Sequence, residues 1–194
     1  MTATAQILTV CTGNICRSPF LERALQAELD GSWGTGAALV SSAGTGALAG
    51  HGMDARAQVR LEDAGYAAHG FVARQLTASM VAESDLVLTA TRAHRAEVAR
   101  LHPRALRYVF SFREFAELVA RVPAERLHAV TGSAREQVVR AVGLAVAQRG
   151  ARAPLSDLDA DIVDPFRRAD EVFDEMSRQI MESLPSVAHA LGRA

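Results

Sequence analysis

Both cysteines of the 194-residue chain lie in one short stretch, LTVCTGNICRSPFLERAL at 8–25, as Cys11 and Cys16. Such a pair allows four chemistries: a disulfide, half of a metal site, a buried inert pair or a catalytic thiolate. Zinc asks for about four ligands at matched spacing. There is no second cysteine pair, and the six histidines are scattered. The neighbours of the pair point elsewhere. Cys11 and Arg17 form a C-x5-R spacing, followed by Ser18, Pro19 and a helical pattern. A strand ending in a loop that feeds a helix N-terminus gathers backbone N–H groups, and the helix dipole adds to their attraction for an anion. Gly13 permits a tight bend, and Asn14 tolerates a left-handed backbone that its own side chain can brace. Arg17 offers two parallel donors to two oxygens of a tetrahedral oxyanion. The loop of Thr12, Gly13, Asn14, Ile15, Cys16, Arg17 and Ser18 would then hold phosphate or another oxyanion, with Cys11 beneath it as a nucleophile. The C-x5-R spacing alone carries little weight in a chain with 21 basic residues, all of them arginine. The order of strand, glycine, asparagine, arginine, serine, proline and helix supplies the rest.

A phosphate ester held in this loop would expel an alkoxide or phenoxide, and a carboxylic acid beside that poor leaving group should contribute ~10²–10⁴-fold. Asp157, Asp159, Asp161 and Asp164 all qualify by residue type, and position alone leaves them even. Asp164 differs in preceding Pro165, which would stiffen its approach.

The elements that must position these groups follow from hydrophobic patterning. Short β-branched runs alternate with amphipathic stretches, which predicts an α/β fold with helices packed on both faces of a parallel sheet. AQILTV, ALVSSAG, DLVLTA and LRYVFSF read as four strands. SPFLERALQAEL reads as the first helix, with Ser18 as N-cap and Pro19 at the first helical position. DARAQVRLEDAG reads as a helix closed by Gly65, TASMVAES as a short helix, and RAHRAEVARLH and REFAELVARV as two longer ones. Ser133 and Glu136 have capping-box spacing, so a further helix is expected over about 134–149. The remainder, with Gly150, Pro154 and the aspartates, is expected to be an exposed loop. DEVFDEMSRQIMESLPSVAHAL should form a long helix or a kinked pair, because Pro185 interrupts it. The whole of 1–194 is expected to be a single domain.

Composition narrows the function. The chain is 49% hydrophobic and 22% charged, with a formal net charge of −1, so nothing favours nucleic acid or an anionic membrane as partner. No apolar run approaches a membrane span, and MTATAQILTV lacks the parts of a secretory signal. A cytoplasmic, reducing location is expected, where paired thiols are more often reactive than structural. The lack of lysine excludes Schiff-base chemistry and a nucleotide-hydrolase phosphate loop.

CTGNICRSP at 11–19 resembles the low-molecular-weight protein tyrosine phosphatases. SSAGTG at 41–46, DARA at 54–57, ARQLT at 73–77, SDLVLT at 84–89 and Asp164-Pro165 extend the resemblance over most of the chain. It implies a three-layer, flavodoxin-like sandwich with a four-stranded parallel sheet and the phosphate-binding loop after the first strand. It implies that Cys11 accepts the phosphoryl group, that Arg17 holds its oxygens, and that Ser18 hydrogen-bonds the thiolate. Asn14, Ser18 and Ser42 would hold the loop in shape. Asp164 would be the acid, chosen over its rivals by the family's aspartate, proline, aromatic order. Cys16 would form a reversible disulfide with Cys11 against over-oxidation, the alternative being a small packed residue under the loop. No metal and no cofactor are implied. The partner would be a phosphorylated protein, acted on by a monomer or weak dimer.

Four features depart from that family. Phe166, Arg167 and Arg168 follow the acid in place of a tyrosine pair, and Leu48 stands where a second aromatic wall is usual. Leu48 and Phe166 are thus the expected substrate walls. The order Asp-Pro-Phe also occurs in related protein-arginine phosphatases, whereas Ile15 is the tyrosine-type choice. Phe71 stands where a supporting histidine is usual, with His69 two residues earlier as a substitute or an ordinary loop residue. A helical segment at about 124–158 reads as an insertion, free to cover the pocket, reshape specificity or dock a partner. Phosphotyrosine hydrolysis through a phosphocysteine is the leading expectation and phosphoarginine hydrolysis the alternative. Arsenate reduction is another, and with no cysteine after Cys16 it would need an external thiol such as mycothiol or glutathione. A non-catalytic phosphate-binding module would leave Cys11, Arg17 and Asp164 without a shared purpose.

Overall fold

The computed structural model describes residues 4–129, 132–149 and 156–193. Four strands, β1 (Ala5–Cys11), β2 (Ala38–Gly44), β3 (Leu86–Thr89) and β4 (Val109–Ser111), form one parallel sheet in the order β2-β1-β3-β4. Alternation along each strand divides the core in two. Ala5, Ile7, Leu86 and Leu88 face a layer containing α1 (Arg17–Trp33), α5 (Phe112–Ala120), α7 (Ala134–Gln148) and α9 (Asp170–Leu191). Leu8, Val10, Val87 and Val109 face the other layer, where α3 (Ala78–Ala82) and α4 (Arg92–Leu101) contribute Val81 and Val98. α2 (Ala55–Asp63) packs on α1 and α9, and Gly65 closes it at φ 90°. The chain leaves β1 toward β2 on one side and returns to β3 on the other. The C-terminal end of β1 is therefore the switch point at which open parallel sheets bind ligands.

Several elements differ in extent from the patterning. α1 begins at Arg17 with Cys16 at its N-cap, so Ser18 lies inside the first turn and caps nothing. Pro19 sits third, still in the turn whose N–H groups have no intrahelical partner. β4 keeps only three residues, because Pro103 starts a 3-10 turn over Pro103–Arg107 and Phe112 joins α5. α9 continues through Pro185 without a break. Its buried stripe of Phe173, Met176, Ile180, Leu184, Val187 and Leu191 runs past the proline, so packing outweighs one lost hydrogen bond. A short helix, α8 (Asp157–Ala160), occupies part of the expected loop, while 150–155 lie outside the described residues.

The Ser133–Glu136 capping box forms at the start of α7. α7 spans the N-terminal ends of the strands: Arg135 pairs with Asp85 just before β3, at 2.9 Å. Buried Gln137 donates to the Leu127 and Ala190 carbonyls. Beyond its far end, Arg149 lies 3.8 Å from the centre of the Phe110 ring and donates to the Val109 carbonyl on the sheet edge. None of the residues of α7 lines the crevice at the opposite end of β1. α6 (Ala124–Leu127) leads into α7.

Candidate active site

The backbone after β1 is held by a second strap. Thr45, Gly46 and Leu48 donate to the carbonyls of Cys11, Thr12 and Gly13, and Asp54 donates to that of Ile15. This approach requires Gly44, where a Cβ would lie 2.4 Å from the Thr12 carbonyl oxygen. Asn14 takes the left-handed backbone that its residue type predicts, at φ 55°.

Inside the loop the hydrogen bonds have a single direction. Asn14 Oδ1 accepts from the Arg74 backbone N–H at 2.8 Å, so its Nδ2 is free to donate twice. One bond goes to Ser18 Oγ at 2.9 Å and one to Ser42 Oγ at 2.8 Å. Ser42 Oγ donates to Glu22 Oε2 at 2.6 Å, while Arg74 Nε donates to the Ser42 carbonyl at 2.7 Å. Ser18 Oγ accepts from Asn14 and lies 3.0 Å from Cys11 Sγ, so its own proton is available to the sulfur. Asn14, Ser18 and Ser42 are fully buried, so water does not compete for these bonds.

Arg17 is 4% exposed. Its Nη2 lies 2.8 Å from Asp164 Oδ2 and 3.4 Å from Thr12 Oγ1. Its Nε is buried with no partner among the described residues. A buried guanidinium donor left open is costly, and an oxyanion oxygen at this position would satisfy it. Cys11, Thr12, Gly13, Ile15, Cys16, Arg17, Gly46, Leu48, Asp164 and Phe166 enclose a crevice of about 140 Å³. Leu48 and Phe166 are half-exposed at its mouth, and Arg167, at φ 59°, sets its guanidinium 5.1 Å from the Phe166 ring centre. Both cysteines are free thiols. Burial first, then the charges of Asp54 and Cys11, push the Cys16 thiol far above its ordinary value, so it stays protonated.

The crevice thus brings together Cys11, Thr12, Gly13, Ile15, Cys16, Arg17, both expected wall residues and Asp164, while Asn14, Ser18 and Ser42 are buried behind the loop and do not line it. Of the rival aspartates, Asp159 accepts from Ser156 and Asp161 from the Arg92 backbone N–H, and neither lines the crevice; the Asp157 side chain lies outside the described residues. Asp164 Oδ1 accepts from Phe166 N at 3.2 Å, a local turn that fixes the carboxylate over the loop. His69 is exposed and makes none of the network's bonds, which fall to Glu22 and Arg74. Glu22, Arg74 and His94 are site neighbours that sequence patterning leaves unmarked. Arg74 was visible only as part of ARQLT. Buried His94 bonds Thr12 from 82 positions away, and no spacing signals that.

Comparison with known proteins agrees with this geometry. The sequence signature of the low molecular weight phosphotyrosine protein phosphatases matches residues 6–137. A Ralstonia nicotianae protein named "Probable low molecular weight protein-tyrosine-phosphatase EpsP" is 34% identical over 136 residues, 70% of this chain and 90% of its own length. The Erwinia amylovora protein of similar name, AmsI, is 40% identical over 97 residues, half of this chain. That match spans only 63% of AmsI. Among solved structures, the tyrosine phosphatase Wzb from Escherichia coli K30 superposes with a TM-score of 0.67 at 25% identity, covering 98% of this chain and all of Wzb. The chain belongs to the low molecular weight phosphotyrosine protein phosphatase family.

Proposed function

We propose that the protein hydrolyses phosphotyrosine monoesters on proteins through a phosphocysteine intermediate. The observation that carries this reading is the convergence of Cys11, with Ser18 Oγ 3.0 Å from its sulfur, the open Nε of Arg17 and the Asp164 carboxyl on one crevice. The Cys11 thiolate attacks phosphorus as the bond to the phenolic oxygen breaks. The electron pair leaves on that oxygen, and Asp164 supplies its proton. Arg17 and the loop N–H groups hold the three equatorial oxygens as charge redistributes. Water then attacks phosphorus, Asp164 takes its proton, and the P–S bond breaks to return the thiolate and release phosphate.

Wzb of Escherichia coli K30 was solved with sulphate, a tetrahedral anion of the same shape. Ile15, Leu48 and Phe166 give the crevice apolar walls suited to an aryl ring. p-Nitrophenyl phosphate tests the chemistry while asking little of those walls. Wild type should turn over, Cys11→Ser should be inert, and Asp164→Ala should slow a phosphotyrosine peptide more than the nitrophenyl ester, whose leaving group needs less help. A phosphoarginine peptide hydrolysed faster than the phosphotyrosine peptide would replace the substrate assignment. A reduced wild type inert toward all three would overturn the hydrolase reading.

A further inference from the structure

His94 has no part in the chemistry above, yet it is among the most deeply buried titratable side chains beside the crevice, 5% exposed. It stands near the start of α4, whose N-cap Thr91 accepts from the His94 backbone N–H at 3.2 Å. Both ring nitrogens are engaged: Nδ1 lies 2.7 Å from Thr91 Oγ1, and Nε2 lies 2.8 Å from Thr12 Oγ1. Thr12 Oγ1 is also the atom that Arg17 Nη2 reaches at 3.4 Å. A guanidinium can only donate. Thr12 therefore accepts from Arg17, and in the tautomer with the lone pair on Nε2 it directs its own proton to that nitrogen. Nδ1 then bears the hydrogen and donates to Thr91. The four groups form a chain with one direction, from Arg17 through Thr12 and His94 to Thr91. Burial, and then the Arg17 charge, hold the imidazole below its ordinary range, which agrees with a neutral ring.

We infer that His94 is a positioning residue: by fixing the Thr12 hydroxyl as an acceptor, it keeps the Arg17 guanidinium turned toward the oxyanion crevice. Without it, Thr12 Oγ1 can rotate. Arg17 Nη2 is then steered only by Asp164, whose own carboxyl is half-exposed at the crevice mouth. The inference rests on the hydrolase reading for its catalytic meaning. Its geometric content concerns oxyanion binding and is testable apart from turnover.

The test is a double-mutant cycle of Thr12→Val and His94→Ala, with His94→Gln as the conservative variant. Two quantities are read: kcat/KM for p-nitrophenyl phosphate, and the dissociation constant of inorganic phosphate from its thermal upshift. Each single change should lower kcat/KM about tenfold and weaken phosphate binding in parallel. The double variant should be no worse than the poorer single one, because both remove the same acceptor. His94→Gln, whose amide oxygen can take the place of Nε2, should recover most of the loss. Additive losses, an unchanged His94→Ala, or a folded His94→Gln no better than His94→Ala would each overturn the inference. If wild type binds phosphate without turning over, the hydrolase reading falls and the phosphate constants still decide the cycle.

Discussion

Replacing Asn14 with alanine removes the centre of the loop network, and its cost can be worked from the geometry. Three buried or partly buried hydrogen bonds vanish, to Ser18, to Ser42 and from the Arg74 N–H. At about 1 kcal/mol each they amount to about 3 kcal/mol. Alanine must also adopt φ 55°, which asparagine tolerates and alanine does not, adding about 1 kcal/mol. The sum of about 4 kcal/mol is a large share of the stability of a typical domain. Asn14→Gly should cost about 1 kcal/mol less than Asn14→Ala, because glycine accepts that backbone. Urea unfolding followed by circular dichroism measures both. Activity should fall further than stability implies, about 10²-fold in kcat at a temperature where the variant is still folded. Ser18 is then free to turn its proton away from Cys11. A loss below about 1 kcal/mol in Asn14→Ala, or unchanged kcat, would refute the view that Asn14 orders the loop.

Two further outcomes concern regions away from the nucleophile. Arg149→Ala should destabilise by about 2 kcal/mol with kcat/KM unchanged, since it removes hydrogen bonds to Glu114 and the Val109 carbonyl and the stack on Phe110. Glu114 keeps Arg95 as a partner, which limits the damage; chemical denaturation beside a nitrophenyl phosphate assay checks both halves. Stability should also fall as pH drops below about 6.5. Burial, aided by Arg17 and His189 respectively, lowers His94 and His128, so in that window the unfolded chain binds more protons than the folded one. The stabilising share is complete above the unfolded value and lost as pH falls toward the folded one. His94→Gln should flatten the slope of unfolding free energy against pH by at most about 1.4 kcal/mol per pH unit. An unchanged slope would mean that the buried ring is not held neutral.

The parts of the site that are contiguous in the chain are legible without coordinates. Cys11, Gly13, Asn14 and Arg17 each meet one demand of an anion loop, and the strand before them and the helix after them are strongly patterned. The capping box at Ser133 is readable for the same reason, because its partners are three residues apart. What patterning misses depends on tertiary placement. Ser18 looks like a helix cap from its position, yet burial turns its hydroxyl to the sulfur. Pro185 leaves a long helix and a kinked pair both open, and α9 takes the first because both flanks of the proline are packed. His94 and Glu22 join the site through side chains that only the fold brings near, and a spacing rule has nothing to detect. Asp164 is selected among four aspartates by the resemblance and not by patterning, and the fold sets its carboxylate beside Arg17.

The loop is braced from two sides by bonds that share no side chain. The arm through Asn14, Ser42 and Glu22 ends on Cys11, and the arm through Thr12, His94 and Thr91 ends on Arg17. Leu48 and Phe166 belong to neither. Reactivity and selectivity are accordingly separable in inheritance: the mouth of the crevice can exchange one apolar wall for another, and so change its clientele, while the machinery beneath keeps its tuning.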